Sequence, residues 1–94
     1  MSPRPRKKRC CEGNFCGQAF KPTGLPLRKL EQITLYRDEL EALKLCDVER
    51  LTQEQAGERM GISRGTVQRL LTGARKKVAE AVVIGAALVF SERP

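Results

Sequence analysis

Histidine and tryptophan are absent from this chain of 94 residues, and only four residues are aromatic, three Phe and one Tyr. Without histidine the side chain that most often serves as general base is missing. No pair of carboxylates sits in an apolar stretch, and no glycine-rich loop is long enough to cradle phosphates. The segment "GISRG" (61–65) is too short for a P-loop and lacks its lysine. Nothing assembles a catalytic site, so neither an enzyme nor a cofactor is expected. Long apolar runs are missing too. The longest, "AVVIGAALVF" (81–90), falls well short of the roughly 20 residues a helix needs to cross a bilayer. No apolar segment follows the cationic N-terminus, so no secretory signal and no membrane partner are expected. A cytoplasmic location is the resulting expectation, with the four cysteines held as thiols or metal ligands and not as disulfides.

What is present is charge, and it is uneven. Eighteen Lys and Arg against eleven Asp and Glu give a net charge of +7, which favours a polyanionic partner. Arg4, Arg6, Lys7, Lys8 and Arg9 form a basic arm ahead of the first acid, Glu12. Between residues 37 and 58 the balance reverses, with Asp38, Glu39, Glu41, Asp47, Glu49, Glu54 and Glu58 against Arg37, Lys44 and Arg50. Arg59, Arg64, Arg69, Arg75, Lys76 and Lys77 then form a second basic block that ends at Glu80. Two basic segments around an acidic one imply a molecule with one face turned toward phosphate.

The length suits one small domain. At 40% hydrophobic content with few aromatics, its core must be built from Leu, Val, Ile, Met and Ala. Residues 1–27 read as a basic, Cys/Gly/Pro-rich arm and irregular lead-in, 28–90 as the folded domain and 91–94 as a tail. "LEQITL" (30–35) is compatible with a short strand, and "AALVF" (86–90) with a terminal strand or a helix end; pairing of the two would give a short two-stranded element. Three helices are predicted between them. The first covers "YRDELEALKLCDV" (36–48), with Leu40, Leu43 and Leu45 at helical spacing and acids in its first turn. The second opens at the capping box "TQEQ" (52–55) and stops at Gly61. The third starts at the N-cap Ser63 and extends to about Ile84.

The three-residue turn "GIS" (61–63) has the length used in helix-turn-helix units. Such a unit needs a small residue where the first helix crosses the second, a turn-former four residues later, and apolar residues at the corner and on the inner face. Gly57, Gly61, Ile62, Val67 and Leu70 occupy those places, and Ala56 and Met60 complete the first helix's buried side. The outward positions are then Arg64, Gly65, Gln68, Arg69 and Thr72. The competing expectation is a plain helical hairpin whose basic face is merely solvated.

The stretch 35–78, with "LEALKLCDVERLTQEQAGERMGISRGTVQRLLTGARKKV" (40–78) at its heart, resembles region 4 of bacterial sigma factors and the related DNA-binding domains of response regulators. "PRPRKKRCC", "FKPTGLP" (20–26) and "DELEALKL" (38–45) are similar, across nearly the whole chain, to a small prokaryotic family of uncharacterised, predicted DNA-binding proteins. The chain departs from the motif at Gly57, where Ala is usual. At Gly65 it follows the sigma-like pattern, whereas the other family often carries Gln. The resemblance implies a mostly α fold of the sigma region 4-like helix-turn-helix type, within the winged-helix-like superfamily. It also implies a sequence-specific DNA-binding protein that regulates transcription, with double-stranded DNA as its partner.

The first residues of a recognition helix meet base edges in the major groove. The expected recognition helix is 64–73, with Arg64, Gln68 and Arg69 as base readers, since Arg matches guanine and Gln adenine. Thr66, Thr72, Arg75, Lys76 and Lys77 are the expected phosphate contacts, and the arm from Arg4 to Arg9 is expected on the backbone or in the minor groove. "AVVIGAALVF" supplies either the interface of a homodimer or the domain's own core. RNA polymerase or another protein is the alternative class of partner, the chain then acting as an interaction or thiol/metal-sensing adaptor on the same scaffold. Cys10, Cys11 and Cys16, spaced C-C-x4-C, are the candidate metal or redox ligands, with ordinary reduced thiols as the plainer reading.

Overall fold

A computed structural model of the chain describes residues 19–94. The elements run β1 (Ala19–Phe20), a 3-10 turn (Leu27–Lys29), β2 (Gln32–Tyr36), α1 (Arg37–Leu43), a wider π-helical turn (Lys44–Val48), α2 (Gln53–Met60), α3 (Arg64–Ile84) and β3 (Ala87–Ser91). Helix dominates, and a small three-stranded sheet in the order β1-β3-β2 closes one side.

The expected pairing of 33–35 with the C-terminal run is present. β2 and β3 are parallel, with Ile33 opposite Leu88 and Leu35 opposite Phe90. A parallel pair requires a long crossover, and here all three helices supply it. The third strand departs from the irregular lead-in expected up to residue 27: Ala19 and Phe20 pair antiparallel with Val89 and Leu88. The folded unit therefore reaches past 28–90 on both flanks. Ser91 belongs to β3. Beyond it Arg93 grips Asp38 with two hydrogen bonds of 2.7 and 2.9 Å, and Glu92 pairs with Arg37 at 3.2 Å.

Each helix starts where local chemistry satisfies its free N–H groups. At α1 the Tyr36 N–H donates to Glu39 Oε1 (2.9 Å). At α2 the Thr52 hydroxyl accepts from the Gln55 N–H (3.1 Å) and the Gln55 side chain accepts from the Thr52 N–H (2.9 Å). At α3 the Ser63 hydroxyl accepts from the Thr66 N–H (3.2 Å). The first predicted helix is not uniform, because its last turn widens: the Glu49 N–H reaches the Lys44 carbonyl and the Leu51 N–H the Leu45 carbonyl. Arg50 ends it in the left-handed region at φ 67°, a conformation that costs a non-glycine residue about 1 kcal/mol or more.

Two clusters form the core. One, between the sheet, α1 and the C-terminal half of α3, holds Leu35, Ala74, Ala81, Ala86 and Leu88. The other holds Ala42, Leu45, Ala56 and Val67, with Leu51, Met60, Ile62 and Leu70 around them, and fixes α1, α2 and the N-terminal half of α3 to one another. Leu70, expected inside, is only partly buried; its neighbour Leu71 is the fully covered one at 2% exposure. The run 81–90 divides: Ala81, Ala86, Ala87 and Leu88 are core, whereas Val82, Val83 and Ile84 face outward.

Candidate nucleic-acid interface

The turn between α2 and α3 depends on two glycines with different duties. Gly61 adopts φ 74°, which glycine takes without steric cost, and so ends α2 on the left-handed residue that frees the chain to turn. Gly57 serves through its missing side chain. A Cβ there would lie 2.6 Å from the carbonyl oxygen of Ile62 and 3.5 Å from the Val67 side chain. The Ile62 N–H also donates to the Gly57 carbonyl (2.9 Å), so the turn backbone rests directly against α2. Alanine is usual at this place in the motif, but here the backbones approach too closely to admit its methyl group without a shift.

The turn sets the first half of α3 with Val67 inward, completely buried, and Arg64, Gly65, Gln68, Arg69 and Thr72 outward and exposed. Thr66 is half-buried. Its hydroxyl lies 2.9 Å from the Ser63 hydroxyl and accepts from Arg69 (3.3 Å), so that Arg69 folds back over the first turn of the helix. Gly65 has open space where a side chain would stand, the nearest atom being an Arg69 nitrogen at 3.9 Å. Packing therefore does not require glycine at position 65. Residues 59–79 contain no acid, but Glu54 and Glu58 on α2 line a cleft over the turn together with Arg64. Charge blocks along the chain do not reveal this acidic border to the basic face, because it arises from the fold of α2 against α3.

The expected phosphate contacts separate into three kinds. Lys76 is exposed, with a loose pairing to Glu80 at 3.8 Å. Arg75 is engaged through two hydrogen bonds, 3.0 and 2.7 Å, with Asp47 at the end of the wide turn. Those bonds hold the Asp47 carboxyl below the usual aspartate range and raise Arg75 further. Lys77 is a correction. Its ammonium lies 2.7 Å from Glu39 Oε1 and 4.9 Å from the centre of the Tyr36 ring, and the pair is largely covered. Glu39 is the buried carboxylate of the core at 7% exposure, and a Cβ on Gly73 would come within 3.2 Å of its other oxygen. Lys77 and Gly73 thus seat Glu39 between α1 and α3, and an ion so placed is committed to the fold. Arg93 stacks on the same Tyr36 ring at 4.4 Å.

Arg4, Arg6, Lys7, Lys8, Arg9, Cys10, Cys11 and Cys16 lie outside the described residues. Cys46 is partly buried against the second cluster, and burial pushes its thiol upward. Among the described residues no group of three or more metal-ligating side chains converges, and no helix is long and apolar enough to cross a membrane.

Residues 1–92 match the family described as "Protein of unknown function DUF134". A UPF0251 protein of Desulforudis audaxviator is 53% identical over 85 residues, covering 88% of this chain and 56% of its own length. One of Vibrio parahaemolyticus is 47% identical over 87 residues, covering 93% of this chain and 91% of its own. One of Rhodospirillum rubrum is 50% identical over 92 residues, covering 98% of this chain and 64% of its own. The chain thus spans little more than half of some relatives and nearly all of others. No solved structure matches it. The chain belongs to the DUF134/UPF0251 family.

Proposed function

We propose that this member of the DUF134 family is a sequence-specific double-stranded DNA-binding protein that regulates transcription, using α2 and α3 as a sigma region 4-like helix-turn-helix. The observation that carries this reading is the exposed outer face of α3: Arg64, Gln68, Arg69, Thr72 and Lys76 stand on a helix whose opposite side is locked by Val67 and the Gly57 contact. A rigid helix displaying Arg and Gln at its start and further cations along it has the chemistry to read purine edges and neutralise phosphates.

Arg64, Gln68 and Arg69 are assigned to bases. Thr72 and Lys76 are assigned to the backbone, and Arg75 joins them once it leaves Asp47. Thr66 acts through its bond to Arg69. Lys77 is withdrawn from the interface. Glu54 and Glu58 bar phosphate from the cleft over the turn, which directs the duplex toward the Thr72–Lys76 side. The arm from Arg4 to Arg9 adds charge on the backbone or in the minor groove.

Selection of bound duplexes from a random library, followed by fluorescence anisotropy across a salt series, tests the proposal. Arg64→Ala with Gln68→Ala relaxes sequence preference, by about 1–3 kcal/mol for each lost bidentate contact. Lys76→Ala weakens binding to every duplex and reduces the salt slope by about one unit. A triple variant that binds as tightly as the wild type disproves the assignment.

A further inference from the structure

We propose that Thr66 and Gly65 make Arg69 selective for guanine without touching a base themselves. The Thr66 hydroxyl aims the guanidinium, and the bare Cα of Gly65 gives it room over the first turn of α3. This inference rests on the DNA reading above and deepens it from a helix face to one oriented side chain. One terminal nitrogen of Arg69 donates to Thr66 Oγ1 at 3.3 Å. The other lies 3.9 Å from the place of a Cβ on Gly65. The Thr66 hydroxyl is itself held, 2.9 Å from the Ser63 hydroxyl whose oxygen caps the helix.

The starts of the three helices differ in a way that isolates this arrangement. At α1 the third helical residue is Glu39 and at α2 it is Gln55, and each side chain accepts from the N–H of its cap residue. α3 has Thr66 at that place, and its first turn holds no acid. A carboxylate there would suit the helix dipole, but it would neutralise Arg69 and repel phosphate. A hydroxyl orients the guanidinium and leaves its charge whole. By contrast, Arg75, Lys76 and Lys77 face the carboxylates of Asp47, Glu80 and Glu39. Among the described residues no ion pair engages Arg69.

Gly65 meets the second condition. Glycine weakens a helix, and beyond its chain neighbours no described side chain but Arg69 comes within 4 Å of a Cβ placed there. An alanine methyl would meet the guanidinium at ordinary van der Waals distance. A longer side chain would fill the space that the guanidinium occupies. The bond to Thr66 uses one of the five guanidinium N–H groups, and the rest suffice for a bidentate contact with guanine O6 and N7. An arginine already held in one pose loses less freedom on binding, so the gain falls on the base that matches that pose.

Duplexes selected by the full chain from a random library, then varied one base pair at a time and measured by fluorescence anisotropy, test the assignment. One guanine position is expected to lose its preference in Arg69→Ala. Thr66→Val keeps the side-chain shape without the hydroxyl, and is expected to lower the preference at that same position about three- to tenfold. Thr66→Ser is expected to restore it. Gly65→Leu should act as Thr66→Val does, and Gly65→Ala should lower the preference less. Neither Thr66→Val nor Gly65→Leu should lower it further once Arg69→Ala is present, as action through Arg69 requires. Because the Ser63 cap stays intact, the melting temperatures of these variants should not fall below that of the wild type by more than a few degrees. A preference that Thr66→Val or Gly65→Leu leaves whole, or a further loss beside Arg69→Ala, overturns the proposal and leaves the DNA reading standing. A wild type that selects no sequence overturns the DNA reading and this proposal with it.

Discussion

α3 passes through two regions of opposite character. Its first half packs on α1 and α2 through fully enclosed residues, Ala42, Leu45, Ala56 and Val67, and shows water a polar and cationic face. Its second half packs on the sheet through Leu35, Ala81 and Leu88, beside a groove left open, and shows water Val82, Val83 and Ile84. An amphipathic helix is usually divided around its circumference. This one is also divided along its length, so a single rigid element is cationic on its outer face at one end and apolar at the other.

The largest test of that contrast is a matched pair of truncations followed by urea denaturation. Leu45→Ala opens a sealed cavity between three helices and is expected to cost about 3–4 kcal/mol. Leu88→Ala removes a side chain that borders the open groove, so it should cost nearer 2 kcal/mol, since little enclosed volume is created. Equal costs would remove the distinction between a tight half and a loose one. Gly57→Ala comes next. Helix propensity alone favours alanine by about 1 kcal/mol, but the 2.6 Å approach to Ile62 should turn this into a net loss of about 1–3 kcal/mol; a higher melting temperature would show that the turn can yield. Arg50→Gly works in the other direction, relieving the left-handed residue at the end of the wide turn, and is expected to stabilise by about 1 kcal/mol.

The smallest effects are electrostatic. Hydrogen bonds from Arg93 hold the Asp38 carboxyl below its usual range, as those from Arg75 do for Asp47. A carboxylate lowered in the folded state contributes above its unfolded pKa, about 3.9, and loses that contribution as pH falls through the lower folded value. Melting temperature should therefore be level from neutral pH to about 5 and decline only below about 4. The double change Asp38→Asn with Asp47→Asn should flatten that decline, more visibly at low salt. Asp47→Asn alone also releases Arg75, and should raise duplex affinity less than about fivefold at low salt.

How far these features can be read from the sequence follows their distance along the chain. The caps at Thr52 and Ser63, the turn at Gly61 and the inward Val67 each depend on residues within a turn or two, and all are legible. The β2–β3 pairing was available because both segments are apolar and bounded. β1 was not: two residues carry no periodicity, and Ala19 and Phe20 become a strand only because β3 offers a free edge. Lys77 looked like one more cation in "ARKK" because its partner Glu39 is 38 residues away, and the commitment of Arg93 to Asp38 spans 55. Gly57 shows a subtler limit. That a small residue was needed could be inferred; that alanine is too large depends on a backbone separation of a few tenths of an ångström, which residue types do not encode.

The position of β3 has a consequence for the order of folding. It is the middle strand of the sheet and, among the described residues, the last regular element. During synthesis both edge strands precede it and have nothing to pair with until residues 87–91 leave the ribosome. The caps, the turn and the cluster around Leu45 involve nearer neighbours in sequence and can assemble earlier, since local contacts form faster than distant ones. The α2–α3 half is therefore expected to take shape while its sheet is still missing, and closure of the fold waits for its final strand.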